Sequence, residues 1–94
     1  MNAATEFRFL FGEVVATPGA DALLREHNIA PVRLLARHLS GDWGQVSADD
    51  AQANEAAVAT GGRILSSYAV GGQTVWLLTE GDRSATTFLL PAEY

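Results

Sequence analysis

Cysteine and lysine are both missing from this chain of 94 residues, and each absence closes off a class of chemistry. Without cysteine there is no disulfide and no thiolate zinc site, which fits a reducing compartment. Without lysine, all six basic residues are arginines, set against eleven acids for a net charge of −5. Such a chain lacks the basic footprint that holds a phosphate backbone, so nucleic acid is not expected as a partner. The acids run from Glu6 to Glu93 and form no dense carboxylate face of the kind a DNA mimic needs. Long apolar runs are missing too. No stretch approaches the roughly 18 residues that span a bilayer, and the first residues show no charged-then-apolar leader. The expectation is a cytoplasmic protein with no membrane contact. Repeats and low-complexity tracts are absent as well, so residues 1–94 read as one small α+β domain.

What is present is enough for a core. Apolar residues make up 48% of the chain and charged residues 18%, which are globular values that argue against disorder. The densest signal lies between Gly61 and Tyr94. Three short apolar runs, RILSSYAV (63–70), QTVWLLTE (73–80) and SATTFLLP (84–91), are separated by Gly71-Gly72 and Gly81-Asp82. Such runs, rich in β-branched and aromatic residues and joined by tight turns, predict a three-stranded antiparallel meander. Residues 7–16 (FRFLFGEVVA) predict a first strand, with Gly12 as a bend.

Helix signals fill the middle. Thr17-Pro18-Gly19 gives an N-cap followed by proline at the first helical position, and His27-Asn28 ends that helix. A second helix starts near Pro31, carries Val32, Leu35, Ala36 and Leu39 at helical spacing, and stops at Gly41. Ser47 caps a third, with Asp49 and Asp50 in its first turn, ending at Thr60 before Gly61-Gly62. The predicted order is β-ααα-βββ, with the helices on one face of the sheet. Alternation then raises a difficulty. Val75 and Leu77 point one way and Trp76 and Leu78 the other, so both faces are apolar. The second face is expected to be covered by residues 7–16, by a helix wrapping round the edge, or by a homodimer or other protein partner, with Trp43, Trp76 and Phe88 as binding residues.

Two polar clusters are candidates for chemistry. In Arg37-His38-Leu39-Ser40-Gly41-Asp42-Trp43-Gly44, His38 can act as a general base oriented by Asp42. The stronger reading is structural: His38 and Arg37 serve the free carbonyls and the dipole of a helix end, with Trp43 anchoring the loop. The second cluster is Thr79-Glu80-Gly81-Asp82-Arg83-Ser84, at a hairpin where an exposed ion pair is expected. Glu80, Asp82 and Asp42 lack the spacing of a calcium loop, so no metal and no cofactor are expected. Arg63 and Arg83, with His38 and Asp42, complete the catalytic candidates.

The segments VVATPGA (14–20), LARHLSGDWG (35–44), Asn54 to Tyr68 with its G-x-R-x-x-S-x-Y ending, and VWLLTEGDRSATTFLLPAEY (75–94) resemble a family of small bacterial proteins. The family is labelled plasmid-related and travels on plasmids and integrated mobile elements. The resemblance implies a bacterial, cytoplasmic protein in a mobile-element setting, and it assigns no catalytic residue. In topology the chain is also similar to the RelE/ParE toxins, which are basic where this chain is acidic. Three functions follow as expectations. The first is a non-enzymatic accessory or interaction protein working through an apolar sheet face. The second is a small toxin or nuclease using His38 with Arg37, Arg63 or Arg83. The third is an acidic inhibitor of a host defence complex.

Overall fold

The computed structural model describes residues 7–94, so residues 1–6 of the expected unit lie outside the described residues. Its class is α+β, with three helices and one four-stranded mixed sheet. The elements are β1 (Glu13–Ala16), α1 (Pro18–Glu26), α2 (Pro31–Leu39), α3 (Ala48–Thr60), β2 (Ile64–Val70), β3 (Gln73–Thr79) and β4 (Ala85–Leu89), closed by a 3-10 turn at Pro91–Glu93. The caps act where the sequence puts them. Thr17 Oγ1 accepts from the amide of Ala20, and Ser47 Oγ accepts from that of Asp50. Gly61 closes α3 at φ +90.

Strand order is β1-β4-β3-β2. Strands β2, β3 and β4 pair antiparallel in chain order, but β1 lies parallel to β4, with Val14 opposite Thr86 and Ala16 opposite Phe88. The expected meander is therefore part of a mixed sheet. The first strand also begins at Glu13, not at residue 7. Residues 7–12 cross the structure instead, Phe9 being buried among Leu39, Trp43, Ala57 and Ile64.

One face of the sheet packs under α1 and α2, where Leu23, Leu24 and Leu34 meet Tyr68, Val70, Val75, Leu77 and Phe88. The other face was expected to be covered by residues 7–16, by a helix wrapping round the edge, or by a second polypeptide. Here the chain folds back on itself, and the ring of Tyr94 lies edge-on to Trp76 at 5.8 Å. Leu78 and Leu89 on that face are only 8% and 5% exposed. No large apolar side chain of β2, β3 or β4 is among the exposed ones. Helix α3 does not cover a face. It runs beside β2, burying only Asn54 and Ala57.

Candidate functional site

His38 sits near the end of α2 with its ring driven into the core. Its Nδ1 lies 2.6 Å from Ser66 Oγ and its Nε2 2.8 Å from Thr79 Oγ1. Thr79 Oγ1 is 2.8 Å from Thr86 Oγ1, which donates to the carbonyl of Phe11 at 2.8 Å. A hydroxyl has one proton to give. Thr86 gives its proton to Phe11, so Thr79 must donate to Thr86 and accept from His38. The imidazole is thus the Nε2–H tautomer, and its bare Nδ1 accepts from Ser66. This chain of bonds runs from β2 through β3 and β4 to the residue pair before β1.

Burial lowers the His38 pKa to about 4, so the ring is neutral at pH 7. Phe9 and Trp43 pack edge-on against it at centroid distances of 5.2 and 6.1 Å. Both ring nitrogens are committed and no carboxylate touches the ring. A histidine enclosed in this way cannot take a proton from a substrate.

Asp42 faces away from His38. It pairs with Arg37, Nε to Oδ2 at 2.7 Å, and accepts from the Gly44 amide. The hydrogen bond from Arg37 holds the Asp42 carboxyl below its usual range. Arg37 in turn lies 4.6 Å over the ring of Tyr68, whose hydroxyl donates to the Asp42 carbonyl at 2.7 Å. Burial pushes that phenol up to about 12. Trp43 is buried, and its indole N–H donates to Glu55, which also takes a two-pronged contact from Arg8. The loop that reads as a polar cluster is a strap tied at every residue.

Arg83, at φ +62, turns its guanidinium onto three carbonyls: Gly62 at 2.7 Å, Ala57 at 2.8 Å and Glu80 at 3.1 Å. Those of Ala57 and Gly62 belong to the end of α3, where a cation suits the helix dipole. Arg63 pairs with Glu80 at 3.3 Å and donates to the hydroxyl of Tyr94. Asp82 accepts from the Ser84 amide and so shapes its own turn. No hydrogen bond or ion pair among the described residues joins His38, Asp42, Arg63 and Arg83 to one another. No group of three or more His, Asp or Glu residues able to hold a metal ion occurs among the described residues. Of the three binding candidates, Trp43 and Phe88 are buried and Trp76 is half-buried beside Tyr94.

No protein-family model, no curated protein and no solved structure matches the chain.

The surface features that stand apart are the two edges of the sheet. In β2, Leu65, Ser67 and Ala69 turn their backbone groups outward, because the Gly71-Gly72 turn makes Val70 and Gln73 the hydrogen-bonded closing pair. Asn54 covers the first: its side-chain amide donates to the Leu65 carbonyl at 2.8 Å and accepts from the Leu65 amide at 3.1 Å. The loop after α2 covers the second. The Ser67 amide donates to the Trp43 carbonyl and its carbonyl accepts from the Gln45 amide. Gly44 is needed there, at φ +72, since a Cβ would collide with the Ser67 carbonyl oxygen.

At the other edge nothing comparable happens. Glu13 and Thr17 donate to Ser84 and Phe88 of the β4 side, so Val14 and Ala16 direct their N–H and C=O groups away from the sheet. All four residues of β1 are exposed. Val14 at 41% and Val15 at 39% are among the exposed large apolar side chains of the described residues.

Proposed function

We propose that this protein is a non-enzymatic interaction module, working in the bacterial cytoplasm as an accessory of a plasmid or mobile element. Its contact with another polypeptide is made along the free edge of β1. The observation that carries this reading is the contrast in covering: β2 is covered at Leu65 by Asn54 and at Ser67 by the Trp43 loop, whereas β1 carries open backbone groups flanked by exposed Val14 and Val15. Natural sheets blunt their edges with charge, proline or cover. An edge left bare next to apolar side chains is suited to strand addition by a partner. That partner is a second copy of this chain or a different protein. Antiparallel pairing of two copies about Val15 sets Glu13 against Thr17 of the other copy and brings no like charges together.

The mobile-element setting rests on the sequence resemblance. The nuclease alternative lacks a base, because His38 is enclosed, and its arginines serve carbonyls and ion pairs. The inhibitor alternative lacks an acidic stripe. Asp21, Asp42, Glu55 and Glu80 each sit in an ion pair with an arginine.

A photo-crosslinking side chain at position 15 tests the proposal in growing cells, with exposed position 53 on α3 as the control. The expected result is one discrete adduct from position 15, either twice the chain's mass or a single other protein, and none from position 53. Absence of an adduct at 15, or equal adducts at both, contradicts it.

A further inference from the structure

The third outward-facing residue of β2 differs from the other two. Ala69 is exposed, and no hydrogen bond from its amide or to its carbonyl is present among the described residues. Beside it opens a cavity of about 500 Å³, lined by Asn28, Ile29, Arg33, Leu34, Arg37 and Ala69. Its position follows from the turn between α1 and α2. Asn28 adopts φ +55, and the Ile29 amide reaches back to the Leu24 carbonyl at 2.9 Å, which swings the chain away from the end of β2.

Three kinds of recognition group meet there. Ile29 and Leu34 supply an apolar floor. Ala69 supplies an unpaired donor and acceptor spaced for an extended peptide. Arg33 and Arg37 supply positive charge on a chain whose net charge is −5. The two arginines are not equivalent. Arg37 is fixed between Asp42 and the face of Tyr68, yet its Nη1 makes no hydrogen bond among the described residues. Arg33 makes no ion pair there at all, so its guanidinium is open to a ligand. Paired guanidinium groups favour a planar carboxylate.

We propose that this groove binds the C-terminus of an extended polypeptide. The terminal carboxylate lies on Arg33 and Arg37, the last peptide group pairs with Ala69, and an apolar last side chain rests on Ile29 and Leu34. A chain end brings all three features together in its last residue. An inorganic anion ignores the floor and the strand, and an internal segment reaches the arginines only where it places an aspartate or glutamate side chain there. This site is separate from β1 and stands or falls independently of the contact proposed there.

The test uses the whole protein and an acetylated peptide of alternating threonine and valine ending in leucine, prepared as the free acid and as the C-terminal amide. Amide chemical shifts report where it binds. The free acid is expected to move the signals of Ala69 and Arg33. The amide form and the Arg33→Gln variant are each expected to bind about tenfold more weakly, the loss of one charge-assisted hydrogen bond. Arg33 is exposed and unpaired, so that variant keeps its fold. No binding, equal binding of acid and amide, or the same shifts from acetate alone overturns the proposal. Shifts at Val14 and Ala16 that spare Ala69 also overturn it, while supporting the β1 contact.

Discussion

The two edge strands of this sheet meet the same physical problem and answer it differently. Each turns a row of backbone groups outward, where they template unwanted pairing unless something occupies them. At β2 a buried asparagine reproduces one rung of a β-ladder and a loop reproduces the next. At β1 the outward groups of Val14 and Ala16 have no such cover, and apolar side chains stand beside them. Covering Leu65 and Ser67 on one edge while leaving β1 bare is costly in sequence, since it fixes Asn54, Gly44 and the Trp43 loop. The difference teaches that covering was available to this fold and was not applied at β1.

Removing the seal is the harshest way to break the contrast. Asn54→Ala leaves the Leu65 amide and carbonyl unpaired beneath α3, and should cost about 3 kcal/mol in a urea unfolding experiment. A cost below about 1 kcal/mol would mean that the Asn54 rung does not hold the edge.

Acid should loosen the tie between the two edges. The Ser66–His38–Thr79–Thr86–Phe11 chain spans the sheet, and the folded pKa of His38, about 4, lies below its ordinary 6.5. A depressed histidine pKa makes the unfolded state bind more protons, so this contribution is complete above pH 6.5 and is lost as pH falls towards 4. Between pH 7 and 4.5 the loss should be about 2 kcal/mol. The lowered carboxyls of Asp42, Glu55, Asp82 and Glu93 act in a lower window, below their unfolded values near 4. A flat stability profile from pH 6.5 to 4.5 would contradict the assignment of a buried, neutral ring.

A milder perturbation sharpens the role of α3. Arg83→Ala removes the contacts to Ala57 and Gly62 that hold the end of α3 near β2, and should cost about 1 kcal/mol without changing any association. The smallest effect on stability belongs to β1. Val14→Lys should stay within about 0.5 kcal/mol of the natural protein in unfolding while abolishing the adduct from position 15. Full retention of the adduct would place the contact elsewhere.

Local chemistry made most of the elements legible. Thr17-Pro18, Ser47 and Gly61 mark helix ends because capping is decided by neighbours in sequence, and Gly71-Gly72 marks its hairpin for the same reason. The parallel pairing of Val14 with Thr86 was not legible, since nothing within either segment encodes a partner 72 residues away. What lies over the second sheet face was not legible, since Tyr94 meets Trp76 there, a contact that alternation within strands does not contain. His38 had a signal that alternation does contain. Ser66, Thr79 and Thr86 all share the inward parity of Leu77 and Phe88, and three hydroxyls facing a core require a polar partner from the helix above. Asn54 carried a weaker sign, a polar residue on the sparse buried face of α3.

Residue-resolved hydrogen exchange on dilute protein compares the two edges directly. The amides of Leu65 and Ser67 should exchange only through large-scale unfolding, and those of Val14 and Ala16 should exchange nearly as fast as an unstructured chain. Slow exchange at Val14 and Ala16 under the same dilution, or fast exchange at Leu65 and Ser67, would contradict an edge covered at Leu65 and Ser67 and an edge left bare at Val14 and Ala16.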